Sequence, residues 1–237
     1  MNYKKLILLP FLPVCLIANL QAIELSNAYN SVGASYQGSL GDEETSGFGV
    51  DISSEIFETD IVVGLSYAST ELEEVNDFDV SAFGMISKTF GIGLGYVYSV
   101  DPNLDIIPSI SYSMGSLETL GTDIADLTVI NFAITSRYQL SENSILKFGI
   151  NFSDTSMDTK STSTAFKNKL TTALSNLGST GTGADFINSM SDSDRDESIS
   201  LGYEYGLSED LILDLGISTS DFDTYQYGLG VRWSWGS

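Results

Sequence analysis

Apolar and polar residues alternate along most of the chain with a period of two. The clearest stretch lies near the end of the sequence, where one set of alternate positions is apolar or aromatic and the other is small or polar. The first set comprises Tyr225, Tyr227, Leu229, Val231, Trp233 and Trp235. The second set comprises Gln226, Gly228, Gly230, Arg232 and Ser234. A period of two predicts a β-strand with one apolar face.

The same alternation recurs nine times before this stretch. The segments are 31–37, 47–53, 61–67, 78–98, 104–112, 130–138, 146–152, 199–205 and 211–217. Segment 78–98 reads as one long strand, because its apolar residues stay at even positions both before and after the polar stretch Ser87-Lys88-Thr89. A break at Ser87-Lys88-Thr89 would instead give eleven strands. We therefore predict about ten strands, within a range of 8–12.

The connections between these strands alternate in length. Short turns are predicted at 57–60, 101–103, 140–144 and 207–210, and longer, more acidic links at 40–44, 70–77, 116–126, 154–196 and 219–224. This plan is typical of an antiparallel up-and-down β-barrel that spans a membrane. Aromatic residues gather at both ends of the predicted strands, as in the aromatic girdles of such barrels.

A soluble β-sandwich is the competing interpretation, since its strands also alternate. A sandwich would keep its aromatic residues in the core and expose a charged second face. In this chain the second face is largely Gly and Ser, and the aromatic residues lie at the strand ends. The pattern favours the barrel.

Residues 1–22 have the pattern of a removable export signal. Lys4 and Lys5 precede an apolar stretch at 6–18, and Leu20-Gln21-Ala22 ends on a small residue. The barrel domain is then 23–237. The single cysteine, Cys15, falls inside the signal, so the remaining chain has no disulfide and no cysteine metal site. Outside the signal, no stretch approaches the ~20 apolar residues of a membrane helix.

The chain is strongly acidic. It has 32 acidic and 10 basic residues and no histidine, for a formal net charge of −22. Such a chain will not bind nucleic acid by neutralising phosphates. The absence of histidine removes the commonest general base and metal ligand. We therefore expect no enzymatic activity and no cofactor.

Together, the export signal, the ten alternating segments and the aromatic last strand resemble the small outer-membrane β-barrel proteins of Gram-negative bacteria, the porin-like class. The resemblance covers most of residues 28–235. It implies a monomer in the outer membrane, with both termini in the periplasm and with membrane lipid and lipopolysaccharide around it. It also implies that the barrel-assembly machinery recognises the C-terminal strand 225–235. Members of the class usually end on the aromatic residue, whereas Gly236 and Ser237 follow Trp235 here.

Charged residues on the inward face form the candidate site. The inward acids are Asp51, Glu55, Asp105, Glu204 and Asp214, and the inward bases are Arg137, Lys147 and Arg232. Most lie near the short turns, so we expect them to meet at one end of the lumen as hydrogen-bonded pairs. Two interpretations remain open. The pairs are either a structural plug of salt bridges or a gate and selectivity ring for a small cation-preferring pore.

The long outer loop 154–196 contains a predicted helix from Thr164 to Leu177. Phe166, Leu170, Ala173, Leu174 and Leu177 recur there at helical spacing. We expect this helix to cap or pack into the barrel mouth, with a partner-binding or membrane-surface helix as the alternative.

Later in the same loop, Asp192, Asp194 and Asp196 are weak Ca²⁺ or Mg²⁺ candidates. A solvated acidic loop is the simpler interpretation, because the spacing does not fit an EF-hand. No metal site is therefore predicted.

Two functions fit these features. The first is a porin-like, narrow channel for small solutes or cations. The second is an occluded structural or surface-interaction barrel, adhesin-like, that acts through its acidic outer loops. About eight strands give a lumen just filled by side chains and wide pores need about sixteen, so ten strands allow only a thin channel.

Overall fold

The computed structural model describes residues 30–41, 43–56, 59–75, 78–79, 81–176, 181–188, 192–208, 210–220, 222 and 224–235. The predicted export signal at 1–22 and Leu177 of the predicted helix lie outside the described residues. Within the described chain, neither helix is long and apolar enough to cross a membrane.

Antiparallel strands make up most of the described chain. They are β1 Ser31–Leu40, β2 Glu43–Glu55, β3 Ile61–Val75, β4 Phe78–Asp79, β5 Met85–Tyr96, β6 Tyr98–Asp101, β7 Leu104–Thr119, β8 Thr122–Ser141, β9 Ser144–Thr159, β10 Asp192–Gly206, β11 Leu211–Thr219 and β12 Tyr225–Ser234. The helices are α1 Thr164–Asn176 and α2 Gly183–Asn188.

The strands of the described chain form a closed barrel of ten wall strands. Neighbours in sequence pair all the way round, and β1 pairs with both β2 and β12. β5 and β6 act as one wall strand against β7, interrupted at Val97, and the two-residue β4 pairs with the end of β3. This confirms the predicted up-and-down antiparallel barrel and its count of ten.

A continuous apolar belt covers the outside of the wall. Each wall strand contributes exposed apolar side chains at alternate positions, for example Val32, Ile52, Leu65, Leu94, Ile110, Phe132, Phe148, Leu201, Leu215 and Val231. Exposed aromatic residues lie at both edges of the belt, with Tyr96, Tyr98, Tyr138, Tyr205 and Trp233 at the end with short turns and Tyr36, Tyr112, Phe152 and Tyr225 at the end with long loops. We call these two ends the short-turn end and the long-loop end.

Several strands continue past the belt at the long-loop end, where the sequence predicts loops. Leu120 and Gly121, with φ of 49° and 72°, form a two-residue turn between β7 and β8, inside the predicted link 116–126. Likewise β9 runs to Thr159 and β10 begins at Asp192, with Asp192 paired to Met157. The long loop is therefore 160–191, shorter than the predicted 154–196.

The prediction missed these extensions because the alternation inverts above the belt. The inward residues there are apolar and buried, as at Leu117, Leu127 and Met157, while outward Asp126 and Asp158 are exposed. This is the pattern of a sheet that has water outside and a packed core inside.

Segment 78–98 is a single wall strand only from Met85 onward. Before it, Ser81–Phe83 forms a 3-10 turn, and Gly84 has φ of 52°, a value that glycine adopts readily. Phe83 is buried, and its carbonyl oxygen accepts hydrogen bonds from the Leu120 N–H at 2.9 Å and the Thr119 hydroxyl at 2.8 Å. The predicted strand is therefore too long at its beginning, because Phe83 packs inside the mouth and precedes the wall strand.

The helix predicted from Thr164 is confirmed as α1. The Ser163 hydroxyl accepts the Phe166 N–H at 3.2 Å, which caps the first turn. In α2, Thr182 and Asp185 form a capping box, and the hydrogen bonds from Thr182 hold the pKa of the Asp185 carboxyl below its ordinary value. Gly183 N–H donates to the Thr171 hydroxyl at 2.8 Å and joins the two helices.

Both helices pack into the long-loop end as one apolar body, which we call the mouth plug. It consists of Phe166, Leu170 and Leu174 of α1 and Phe186 and Ile187 of α2, packed against Leu72, Phe83, Met85, Leu117, Ile124, Leu127 and Met157 of the wall and its loops. Phe83 stacks on Phe186 with ring centroids 6.1 Å apart. The expectation that this helix packs into the barrel mouth is confirmed.

Candidate lumen gate

Charged side chains meet inside the barrel near the short-turn end. The members are Asp105 on β7, Arg137 on β8, Lys147 on β9, Glu204 on β10, Asp214 on β11 and Arg232 on β12. We call this group the lumen network. It combines six of the eight charged residues that the sequence places on the inward face.

Strand register determines which charges meet in the lumen network. Arg137 lies directly opposite Lys147, and Glu204 lies directly opposite Asp214. Like charges at such directly opposed positions repel one another. The two cations of β8 and β9 are therefore stable together only because the two acids of β10 and β11 lie beside them.

Glu204 is the centre of the lumen network. Its carboxylate accepts from Arg137 at 3.1 Å, from Lys147 at 3.0 Å and from Arg232 at 2.5 Å. Only 2% of the Glu204 side chain is exposed. Asp214 pairs with two of these three cations, Lys147 at 2.7 Å and Arg232 at 3.2 Å. Ion pairs this dry depend on short, charge-assisted hydrogen bonds between the partners, because burial removes the water that would otherwise solvate them.

Asp105 is a peripheral member. Its carboxylate lies 3.9 Å from the Arg137 guanidinium, and 19% of its side chain is exposed. Beside the lumen network, Val62, Val97 and Ile107 form a small buried apolar cluster on the β3, β5 and β7 side. The two groups together narrow the lumen at the short-turn end.

Two glycines provide the space that the long cationic side chains occupy. A Cβ at Gly202 would lie 2.6 Å from Lys147 Cε. A Cβ at Gly33 would lie 2.7 Å from Arg232 Cγ and 2.8 Å from Asp51 Oδ1. Sequence reasoning did not single out these glycines, although an inward glycine paired directly with a long charged residue is a signal that register would reveal.

We predict that Gly33→Ala lowers the free energy of unfolding by about 1–3 kcal/mol, since the new methyl group displaces Arg232 or Asp51. Urea unfolding of the refolded barrel measures this change. Gly216→Ala is the matched control, because the nearest atom to its Cβ is the Leu201 carbonyl oxygen at 4.0 Å. Equal stability loss in both variants would contradict the role assigned to Gly33.

The remaining predicted site residues lie elsewhere. Asp51 lies across Gly33 from Arg232, next to the lumen network. Glu55 lies at the β2–β3 turn, where its carboxylate accepts the Asp60 N–H at 3.2 Å, and no described ion pair links it to the network. Asp194 and Asp196 lie on β10, two residues apart, and the Asp192 side chain lies outside the described residues. No described group of three acidic side chains is arranged to hold a metal ion.

The wall divides into two halves at the long-loop end. The mouth plug packs against β3, β5, β7, β8 and β9. On the other half, inward residues of β10–β12 are small or polar and partly exposed: Asp194, Asp196, Ser198, Ser200, Gly216, Ser218 and Gln226. We call this partly exposed strip the polar strip. It runs along β10 towards Glu204, which belongs to the same inward set.

A sheet closed on itself leaves no unpaired edge, and the apolar belt and its aromatic borders match the surface that lipid requires. This is an outer-membrane-type β-barrel. Solved structures similar to this barrel include outer-membrane β-barrel proteins.

The KdgM porin has a TM-score of 0.41 and 12% identity, covering 86% of this chain and 99% of that one. The N-terminal β-barrel domain of Pseudomonas aeruginosa OprF has a TM-score of 0.35 and 13% identity, covering 87% and 98%. A loop-deletion mutant of OmpT, an outer membrane protein of Vibrio cholerae, has a TM-score of 0.36 and 9% identity, covering 86% and 62%. No family model matches the barrel, and no curated protein matches its sequence.

Proposed function

We propose that this protein is a narrow, cation-preferring pore of the bacterial outer membrane, gated by the lumen network. The polar strip is the observation that carries the proposal. Inward side chains on β10–β12 stay partly exposed and polar, whereas an apolar plug packs against the opposite half of the same lumen. A barrel filled only for stability has no need of an accessible polar path along one side.

The charge along this path favours cations. Asp194 and Asp196 place two acidic side chains at the long-loop end of the polar strip. At its other end Glu204 and Asp214 are already paired with Arg137, Lys147 and Arg232, so the cation preference rests on the acids of the long-loop end. Charges of one sign in a confined passage with low-dielectric walls concentrate the opposite ion. The lumen network closes the path, and the movement of Arg137, Lys147 and Arg232 away from Glu204 opens it.

The proposal also includes an orientation for the barrel. The short-turn end faces the periplasm with both termini, and the long-loop end faces outward, as in other bacterial barrels. The lumen network is then the periplasmic gate and the polar strip is the outer vestibule. Membrane lipid and lipopolysaccharide surround the belt, and the assembly machinery binds β12. No catalytic step is assigned to the protein.

Single-channel recording tests this function directly. We refold residues 23–237 and insert them into planar bilayers under a salt gradient. We expect discrete conductance steps and a reversal potential whose sign shows preference for cations. Asp194→Asn is expected to reduce that preference, because it removes an inward charge from the polar strip.

Asp158→Asn is the matched control for charge. Asp158 is exposed on the outer face of β9, so its removal changes net charge equally without touching the lumen. A silent bilayer, with folding verified by heat-modifiable gel migration, would refute the pore. An equal effect of both variants on the reversal potential would refute the role of the polar strip.

An occluded surface-interaction barrel is the second candidate, and one observation favours it. The β7–β8 hairpin and the outer ends of β9 and β10 rise past the apolar belt and present a polar outer face. That face contains ion pairs between Arg195 and Asp154 at 3.0 Å and between Lys160 and Asp126 at 2.7 Å. This candidate requires no conductance and predicts that partner binding depends on these protruding strands.

A further inference from the structure

A proline interrupts the backbone pairing of the wall along β7. On the side of β5, the pairing of β7 stops at Ser109, and on the side of β6 it resumes at Ile106. The register is the same before and after the interruption, so the residues that face one another across it are known. We call these residues the wall seam: Tyr96 opposite Pro108, and Val97 opposite Ile107.

The wall seam lacks one hydrogen bond of a regular ladder. The Val97 N–H donates to the Asp60 carbonyl oxygen at 2.8 Å, on the side of β3. Successive residues of a strand direct their backbone groups to opposite neighbours, so Tyr96 directs its own groups towards β7. The residue opposite Tyr96 is Pro108, which has no N–H to donate. The Tyr96 carbonyl oxygen therefore lacks its ladder donor.

Pro108 is an unusual residue for the interior of a closed wall. Within sheets, proline is confined to edge strands, strand beginnings and bulges, and a barrel has no edge. Pro108 lies instead in the middle of β7, at an outward position of the apolar belt. In a membrane, a backbone group without a partner is costly. Natural proteins break such rules mainly where function requires it.

On the lumen side, apolar side chains close the wall seam. Val97 and Ile107 pack with Val62 of β3 in the small buried cluster beside the lumen network. In the lumen network itself, Glu204 holds three buried cations. Breaking a buried ion pair leaves a charge without a partner and is strongly unfavourable. Separating Val97 from Ile107 leaves no charge without a partner, so this side of the closure moves more easily.

We infer that the wall seam is where the wall opens to widen the lumen when the pore conducts. The inference rests on the proposed function and adds the movement that the lumen network requires. When β5 separates from β7 at the seam, Ile107 and the nearby Asp105 move away from Val97. Because Asp105 pairs directly with Arg137 of β8, Arg137 moves with it. This movement draws the Arg137 guanidinium away from Glu204, which it now contacts at 3.1 Å.

Restoring the missing donor tests the wall seam without changing the lumen. Pro108 is exposed on the outer face, so Pro108→Ala adds an N–H opposite Tyr96 and leaves every inward side chain in place. In planar bilayers we expect this variant to lower the open probability by about tenfold, the factor that one net hydrogen bond contributes to an opening equilibrium. Ile110→Ala is the matched control, because it shortens the next outward side chain of β7 within intact pairing. Its open probability should equal that of the parent.

Hydrogen exchange reports opening of the wall seam without conduction. Amide exchange in the refolded barrel in detergent micelles is followed by NMR. We expect exchange at Tyr96 and Tyr98 to be slower by a similar factor in Pro108→Ala than in the parent, because local opening exposes these amides. Ile110→Ala should not slow exchange at either position. Exchange at Tyr96 and Tyr98 that is equal in Pro108→Ala and the parent would overturn the inference.

A reversible disulfide across the wall seam is the second variant. Val97→Cys with Ile107→Cys places two cysteines opposite each other, and residues 23–237 contain no other cysteine. We expect oxidation to lower the conductance several-fold and a reductant to restore it. Equal conductance of the oxidised and reduced forms, in a barrel that conducts, would overturn the wall seam alone. A silent parent barrel would refute the pore, and with it the role of the seam in opening.

Heat-modifiable migration on gels establishes that each variant is folded before it is measured.

Discussion

Glu204→Gln is expected to destabilise the barrel by about 3–5 kcal/mol, the cost of removing one partner from a buried ion pair. The substitution keeps the shape of the side chain and deletes its charge. Arg137, Lys147 and Arg232 all bind this one carboxylate, which is almost fully buried. Without it Lys147 and Arg232 keep Asp214 as their partner, and Arg137 keeps only the Asp105 carboxylate at 3.9 Å.

Urea unfolding of the barrel in lipid or detergent at neutral pH measures the loss. Glu118→Gln is the matched control, because Glu118 pairs with Lys88 at 2.6 Å on a partly exposed face where water screens the pair. We expect no measurable change in that variant. Equal stability of Glu204→Gln and the parent chain would show that Glu204 is not the centre of the lumen network.

A second substitution tests whether the loss of stability comes from buried cations that no longer have the Glu204 carboxylate as a partner. Adding Lys147→Met to Glu204→Gln removes one buried positive charge while keeping most of the side-chain volume. Part of the lost stability should return, since residues in one network are energetically coupled. A simple sum of the two single losses would instead indicate independent contributions.

The strands and their direction could be predicted from sequence because lipid and lumen impose opposite demands on neighbouring residues. Every second residue of the belt faces hydrocarbon and must be apolar, as at Leu94 and Phe132, while the residues between them face the lumen. Because hydrocarbon contacts one face of the sheet and the lumen contacts the other, apolar and polar residues alternate more regularly than in a half-buried strand of a soluble protein. This is why ten alternating segments could be recognised, although segment 78–98 left a count of eleven as the alternative.

The ends of the strands could not be predicted in the same way. Above the belt the outer face contacts water, so the strand continues with its polarity reversed, as between outward Asp126 and inward Leu127. Outward apolar residues therefore identify only the part of each strand that contacts lipid. Hydrogen bonding between strands has no such boundary, and β7 and β8 pair as far as Thr119 and Thr122.

The candidate site was predictable in composition but not in connectivity. Parity along a strand shows that Glu204 and Glu55 both face inward, but only the register between strands shows which charges meet. Glu204 lies beside the cations of β8, β9 and β12, whereas Glu55 lies at a turn. The spaces above Gly33 and Gly202 depend on the same register, which a single sequence does not contain.

Leu170→Asp is expected to release the mouth plug from the wall. Leu170 is fully buried within the plug, so a carboxylate there would be an unpaired charge in an apolar core. Even Leu170→Ala should cost the plug about 2–5 kcal/mol of packing. Because the plug lies inside the ring and the strand ladder does not depend on it, we expect the barrel to remain folded while loop 160–191 becomes sensitive to proteinase K.

Lys169→Asp is the matched control, since it places the same residue one position earlier on the exposed face of α1. It should leave the loop resistant. A Leu170→Asp loop as resistant as the parent would mean that the plug is not held by its apolar face.

The conductance of the same two variants shows whether the mouth plug or the lumen network restricts the flow of ions. A larger conductance in Leu170→Asp alone would mean that the plug restricts flow. If the loop is cleaved but conductance is unchanged, ions already pass along the polar strip beside the plug, and the lumen network alone limits them.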